Sequence, residues 1–349
     1  DPSGLLTVLA SGIKKPRWLA AAPDGQLYIA AKGLLNHKDD DNDDDNDDDD
    51  DNPPRVILRR DPAGALTVVA AGIKKLEGLA LNGGTLYAAA RRVDSLPKAD
   101  GVIVKYPPKP DGSLGSPAYL VSTGLEKPMG LVVDRLGALY VTAKEMKLNG
   151  KKFKRAIGKV RPDGQMTLFA HELEDPQGLA FDALGNLSAA DGDEGRLVRF
   201  RAPPPPTLDP LPPFTNQTPS PVTGTTEPEA RLDLFVNDVA TPVTGSANTT
   251  GAFSLSAALT PNTQNALLLF TTTHAGDGLT SAPAEASLTH DGIAPSLALV
   301  RPPASAFVRQ SVTVEAEASD GGSGVATLAL RGDGQPLTPT LFPAPPAAS

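Results

Sequence analysis

An all-β chain in two parts, a small β-propeller followed by β-sandwich modules, is what the sequence predicts, and three observations predict it. One hairpin pattern occurs four times: WLAAAPDGQLYIAA from Trp18, GLALNGGTLYAAA from Gly78, GLVVDRLGALYVTA from Gly130 and GLAFDALGNLSAAD from Gly178. Each copy is a short apolar run, a Gly-containing polar turn and a second run of alternating or small residues. Two strands closed by a turn leave that signature. A Pro-dense tract, APPPPTLDPLPPFTNQT, then fills residues 202–218. Beyond it come Thr-, Ser- and Ala-rich runs broken by Gly, Asn and Pro, the spacing expected of sandwich strands.

Size and composition bound this reading. A chain of 349 residues exceeds one ordinary core, so two or three domains are expected. The absence of cysteine excludes disulfides, thiolate metal sites and a Cys nucleophile. No apolar run is long enough to span a bilayer. Residue 1 is Asp rather than Met, so a processed or trimmed chain that has lost a leader is expected. The net charge of −9 is local: residues 39–51 hold eleven Asp, and without them the balance is +2. A nearly neutral body with no broad basic face excludes a nucleic-acid partner.

The repeats extend on both sides of each hairpin. LLTVLASGIKKP, ALTVVAAGIKKL, AYLVSTGLEKP and MTLFAHELEDP precede them, and RVILRRDPAG, GVIVKYPPKPDG, GKVRPDG and GRLVRFR follow. Trp18, Gly78, Gly130 and Gly178 align at spacings of 60, 52 and 48 residues. Antiparallel units of four strands repeated in tandem read as propeller blades. The last unit ends at Arg201 with three strands, and Leu6 to Ala10 lacks a unit of its own. Four blades, with that N-terminal strand closing the last, are therefore expected; an arc completed by another copy is the alternative.

The pattern GLAxDxxGxLYVAD, followed by a closing xxVxRxxPDG, resembles the NHL-type propeller repeat and more distantly the gluconolactonase group, over about residues 1–201. The resemblance implies a site at the top of the innermost strands. The residues just before the aligned positions are Arg17, Glu77, Met129 and Gln177, the candidate ligand-binding set. A lactonase-like metal site wants several acids around one divalent ion, which this set does not supply. The Asp ending the family motif is Ala31, Ala90 and Ala143 in three copies and remains only as Asp191.

Three insertions fall between the second and third strands of the units: residues 33–54, 91–99 and 144–156. The third carries Lys151, Lys152 and Lys154, candidate ligand-binding cations. The first carries Asp41, Asp43, Asp45, Asp47 and Asp49, read either as a solvated polyanion or as carboxylates for Ca²⁺. Pairing of the acidic loop with the basic one is a third option. Asp191 and Asp193 are further candidate metal ligands, against which stands a capping role in a polar turn. His37, His171, His274 and His290 are scattered, so no His cluster with metal spacing is expected.

Residues 202–218 are expected to be a semi-rigid spacer. VTGTTEP, NTTGAFSLSAALTPNTQN and DGIAPS resemble bacterial Ig-like modules, over 219–293. A second such module spans 294–349, about half of what a full sandwich needs. Either the chain continues beyond Ser349, or a strand from another molecule completes the module. The combined expectation is a secreted or cell-surface bacterial protein that binds or assembles, through a protein partner, self-association or a surface polymer, as an adhesion or filament subunit. It is not expected to be an enzyme; the alternative is a divalent-metal-dependent propeller hydrolase of the lactonase type.

Overall fold

A computed structural model describes residues 6–35, 55–111, 113–192, 195–237, 239–273, 277–303, 305–307, 309 and 311–338. The described residues form β-structure without a helix. The Asp tract, with Asp41, Asp43, Asp45, Asp47 and Asp49, lies outside them, as does Asp193.

Four successive sheets occupy the first part. β1 (Ile13–Lys14) stands apart from them. β2 (Trp18–Ala21), β3 (Leu27–Ala31), β5 (Arg55–Arg60) and β6 (Leu66–Lys74) form the first sheet in that order, and β4 (Gly33–Leu34) pairs with β1. The second sheet is β7 (Gly78–Asn82), β8 (Thr85–Ala90), β10 (Val102–Tyr106) and β11 (Ala118–Val121); the short β9 (Arg92–Val93) pairs back onto β6. The third is β12 (Leu125–Val133), β13 (Leu139–Leu148), β14 (Lys151–Val160) and β15 (Met166–Ala170). The fourth has three strands, β16 (Pro176–Phe181), β17 (Leu187–Asp191) and β18 (Arg196–Phe200).

The hairpin turns have a local cause. Asp134 Oδ1 accepts from the amides of Leu136 (3.0 Å) and Ala138 (2.8 Å), and Asp182 Oδ1 does the same for Leu184 and Asn186. Gly137 and Gly185 then adopt φ of 84° and 86°, the left-handed region that glycine enters without a Cβ penalty. The third insertion, read as a loop, is instead a continuation of the β13–β14 hairpin. Asn149 and Gly150, at φ of 50° and 77°, supply the two-residue turn that matches strand twist.

Consecutive sheets meet along their innermost strands. A Cβ on Gly78 would lie 2.3 Å from the Met129 carbonyl oxygen, and one on Gly130 2.1 Å from that of Gln177. At Gly78 and Gly130 the glycine is therefore a packing requirement of the next sheet. In the first copy Trp18 takes this position, and its Nε1 donates to the Leu79 carbonyl at 2.9 Å. The Trp18 ring also reaches the fourth sheet, 3.9 Å from where a Gly178 Cβ would stand. Apolar cores fill the spaces between sheets one and two (Ile57, Ile73, Leu86, Val104), two and three (Ile103, Leu131, Met146) and three and four (Tyr140, Ile157, Leu187).

One expectation on closure is corrected. Leu6 to Ala10 does not pair with β18; Leu9 offers its carbonyl to Arg60 Nε at 2.8 Å, and Leu6 and Val8 stand 91% and 77% exposed. Without that pairing, β18 remains an edge with Leu197 80% exposed.

The Pro-dense tract is corrected as well. It is not an isolated spacer, because β19 (Thr207–Leu208) pairs with β21 (Ser220–Thr225), and β20 (Phe214–Thr215) with β26 (Ala284–His290). With β22 (Arg231–Val236), β23 (Val243–Ser246), β24 (Ala252–Ala257) and β25 (Gln264–Thr272), these make a three-stranded and a five-stranded sheet. Both sheets contribute to one core around Val222, Leu234, Phe253, Leu255 and Leu269. Alternating burial along Ala252–Ala257 gives that strand one core face and one wet face.

This second unit is docked on the first. Leu279 enters the core between sheets three and four, and Gly278 accepts from Tyr140 Oη (3.1 Å) and Lys159 Nζ (2.7 Å). Beyond it, β27 (Ser296–Arg301) pairs with β28 (Glu315–Ser319), and β29 (Leu330–Gly332) with β30 (Gln335–Leu337). Every residue of β27 is exposed.

Candidate functional site

The residues that open the four innermost strands converge. Arg17 and Glu77 are fixed alike, each amide bonding to the carbonyl of the paired strand, at Ala30 (2.9 Å) and Ala89 (3.0 Å). In the third and fourth repeats Thr142 makes the equivalent link, accepting from Gly130 N at 2.7 Å and donating to the Gln177 carbonyl at 2.9 Å. Arg17, Glu77, Met129 and Gln177 all line one cleft of about 1280 Å³. The segment Pro97–Gly101 forms one wall, tied down by Tyr119 Oη donating to the Pro97 carbonyl at 2.6 Å. Residues 122–128, with Glu145 and Lys147 from β13, form the other.

Charge in the cleft is arranged in pairs. Glu77 lies between Arg17 (3.6 Å) and the buried Arg55 (3.5 Å), whose Nη1 also donates to the Leu76 carbonyl. Arg91 meets Asp100 at 2.9 Å, and Glu145 meets Lys152 at 3.1 Å and Lys147 at 3.8 Å. The Lys152 hydrogen bond, more than any other influence, holds the Glu145 carboxyl below its ordinary pKa. An exposed pair such as Arg91–Asp100 contributes little to stability.

The repeats place lysine in one unusual backbone conformation. Lys15, Lys75 and Lys127 have φ of 45°, 47° and 45°, each directly before the residue that leads into an innermost strand. A residue with a Cβ pays about 1–2 kcal/mol there. The fourth repeat has Asp175 at that position. Lys75 and Lys127 line the cleft, as do Arg91, Lys98 and Glu126. None of these was singled out by sequence reasoning, although KKP, KKL and EKP recur visibly at the strand entrances.

The other expected site residues lie elsewhere. Lys151, Lys152 and Lys154 sit exposed on the tip half of the β13–β14 hairpin; Lys152 reaches the cleft only through Glu145, and Lys151 and Lys154 do not line it. Asp191, offered as a metal ligand, is 1% exposed and caged by donors. It accepts from the amides of Asp175 and Glu174 (3.1 Å) and from Arg196 Nε (3.0 Å). Burial pushes its carboxyl up, but those two amides and the Arg196 guanidinium outweigh burial and hold the pKa below the ordinary value. Surrounding donors and a cation suit a carboxylate's structural anchoring, not a metal's coordination shell. Among the described residues no group of three or more His, Cys, Asp or Glu could hold a metal ion. His171 stacks near Phe153 and His290 accepts from Asn262 N at 3.1 Å.

No family profile matches the sequence, and no curated protein matches it. Solved structures do resemble the chain. A gluconolactonase from Xanthomonas campestris is 21% identical, with 54% of this chain and 58% of that one covered at a TM-score of 0.39. A luciferin-regenerating enzyme is 14% identical, with 51% and 55% covered at 0.35. A Trypanosoma rangeli sialidase is 12% identical, with 78% and 53% covered at 0.32. The chain thus spans just over half the length of the first two. At these values the likeness concerns fold alone and carries no function across.

Proposed function

We propose that the four repeat sheets form a β-propeller of four blades whose cleft is a small-molecule site, with hydrolysis of a lactone or related ester as its activity. The reading rests on one observation: the four repeat-equivalent entrance residues line a single cleft. Several of the solved structures with a similar fold are hydrolases, one of them a gluconolactonase, which makes a lactone the first substrate to try. Glu77, the entrance carboxylate, would accept a proton from an attacking water. Arg17, 3.6 Å from it, would meet the negative charge that develops on the carbonyl oxygen.

The lactonase reading brings a divalent metal with it, and the entrance residues do not fit one. A single carboxylate held between two guanidinium groups repels a cation, and Met129 and Gln177 add no charge. No step is therefore routed through a metal. The test is hydrolysis of glucono-1,5-lactone, followed by acid release, with wild type, Glu77→Gln and EDTA-treated protein. Turnover above the uncatalysed rate that falls at least tenfold in Glu77→Gln and survives EDTA supports the reading. A rate equal to the uncatalysed one in all three would remove the enzymatic part.

The second reading, a secreted adhesive or assembling protein with Ig-like modules, is favoured by a different observation. Leu297, Leu299 and Val300 on β27 and Phe307 beyond it are exposed, a surface that a partner strand would cover. Concentration-dependent sedimentation of the full chain tests it, and a monomer throughout would speak against it.

A further inference from the structure

We infer that the cleft seats a compact oxyanion, phosphate or a carboxylate such as the one lactone hydrolysis releases, rather than a metal ion. This rests on the proposal that the cleft is a small-molecule site and names the ligand chemistry. Six cationic residues line it (Arg17, Lys75, Arg91, Lys98, Lys127, Lys147) against four acids, a net of +2, which equals the net charge of the whole chain outside the Asp tract. Three of those acids, Glu77, Asp100 and Glu145, already meet cations of the wall. Buried Arg55 and the neighbouring Lys152 add two further positive charges behind Glu77 and Glu145. A concave, partly enclosed surface with a net positive charge concentrates anions.

The backbone adds an independent reason. Lys15, Lys75 and Lys127 each hold a left-handed conformation that glycine or asparagine would hold with less strain. A strained conformation that recurs with the same side-chain chemistry at one repeat position is what a selected feature of a ring leaves behind. Two of the three reach the cleft wall. Gln177 supplies a neutral polar group beside them, which helps orient an anion once charge has drawn it in.

Trp18 lines the cleft and is the single tryptophan of the chain, so its fluorescence reports occupancy without a label. The full chain is titrated with inorganic phosphate, citrate, gluconate, glucose and CaCl₂, at low and at 0.5 M NaCl. Saturable change with the anions, weakened by salt, and roughly tenfold weaker in Lys127→Gln and Lys75→Gln is expected. Phosphate against the carboxylates tells which oxyanion the cleft prefers. Saturation with glucose and not with anions would overturn the inference while leaving a small-molecule site. A response to CaCl₂ alone would overturn it in favour of a cation. Silence with every probe would overturn it together with the site reading. Far-ultraviolet circular dichroism shows that each variant is folded, and Lys151→Gln, outside the cleft wall, is expected to bind as wild type.

Discussion

The two ends of the repeat sheets use polar groups in opposite ways. At the end where the second unit docks, Tyr140, Lys159 and Asp134 are all buried; Tyr140 and Lys159 donate to the Gly278 carbonyl, while Asp134 closes its own turn and faces Thr280 at 3.5 Å. The Lys159 ammonium lies 5.6 Å over the Tyr140 ring, a buried cation–π contact. At the cleft end Arg17, Lys127 and Gln177 are exposed, and the ion pairs have open faces. Similar side chains thus serve structure at one end and remain reachable by a ligand at the other. Substitution should therefore cost stability at the docking end and binding at the cleft end.

The largest stability effect is expected for Tyr140→Ala. The ring is fully buried and stands edge-on to Phe169 and Phe181 at 5.2 Å each, and losing such a residue costs about 3–5 kcal/mol. Urea unfolding should show that loss, with the second unit now melting in a separate step. Gly185→Ala comes next, because its Cβ would lie 2.3 Å from the Thr280 carbonyl oxygen at a backbone φ of 86°. A loss of roughly 2 kcal/mol, with faster amide exchange around Leu279, is expected. Arg161→Ala breaks a half-exposed pair with Asp277 at 2.7 Å and should cost less than about 1 kcal/mol. At the cleft end Arg17→Ala should move the urea midpoint least of all while altering binding. A stability loss there as large as that of Tyr140→Ala would erase the distinction between the two ends.

Titration separates them further. Burial pushes the Lys159 ammonium down from its ordinary 10.5, with Asp134 pulling it back. The unfolded chain then binds that proton more strongly, so Lys159 costs stability below its folded pKa. The cost is relieved as pH rises through that value towards 10.5. Lys159→Met should flatten this alkaline rise in the urea midpoint. The hydrogen bond from Asn186, the foremost of several, holds exposed Asp182 down to about 2. Its contribution is complete above the ordinary 3.8 and fades as pH falls towards 2; Asp182→Asn should remove that acid dependence.

Much of this was legible in the chain itself, and the exceptions have physical causes. The hairpins followed from alternation plus Asp and Gly at fixed offsets, because those turns are closed by local bonds such as Asp134 Oδ1 to Ala138 N. Glu77 and Met129 could be aligned because each precedes a glycine on which the next sheet presses, and Arg17 and Gln177 followed from the repeat spacing. Thr207 and Phe214 gave no strand signal within their prolines, since their partners, Thr225 and Thr289, lie far along the chain. The docking bond from Tyr140 to Gly278 joins residues 138 apart, beyond the reach of any local pattern. Leu6 to Ala10 reads as a strand by its own residues, yet pairing depends on a partner edge that sequence alone does not position. The lysines were visible as repeats, but their left-handed backbone is imposed by the surrounding sheets.

The central claim, that the cleft where the four innermost strands begin is where this protein meets its ligand, is tested most directly by a crystal structure of the full chain grown with phosphate or citrate. The anion is expected inside the cleft, within hydrogen-bond reach of Arg17, Lys75 or Lys127. An ordered anion seated elsewhere, with the cleft holding only water, would contradict it.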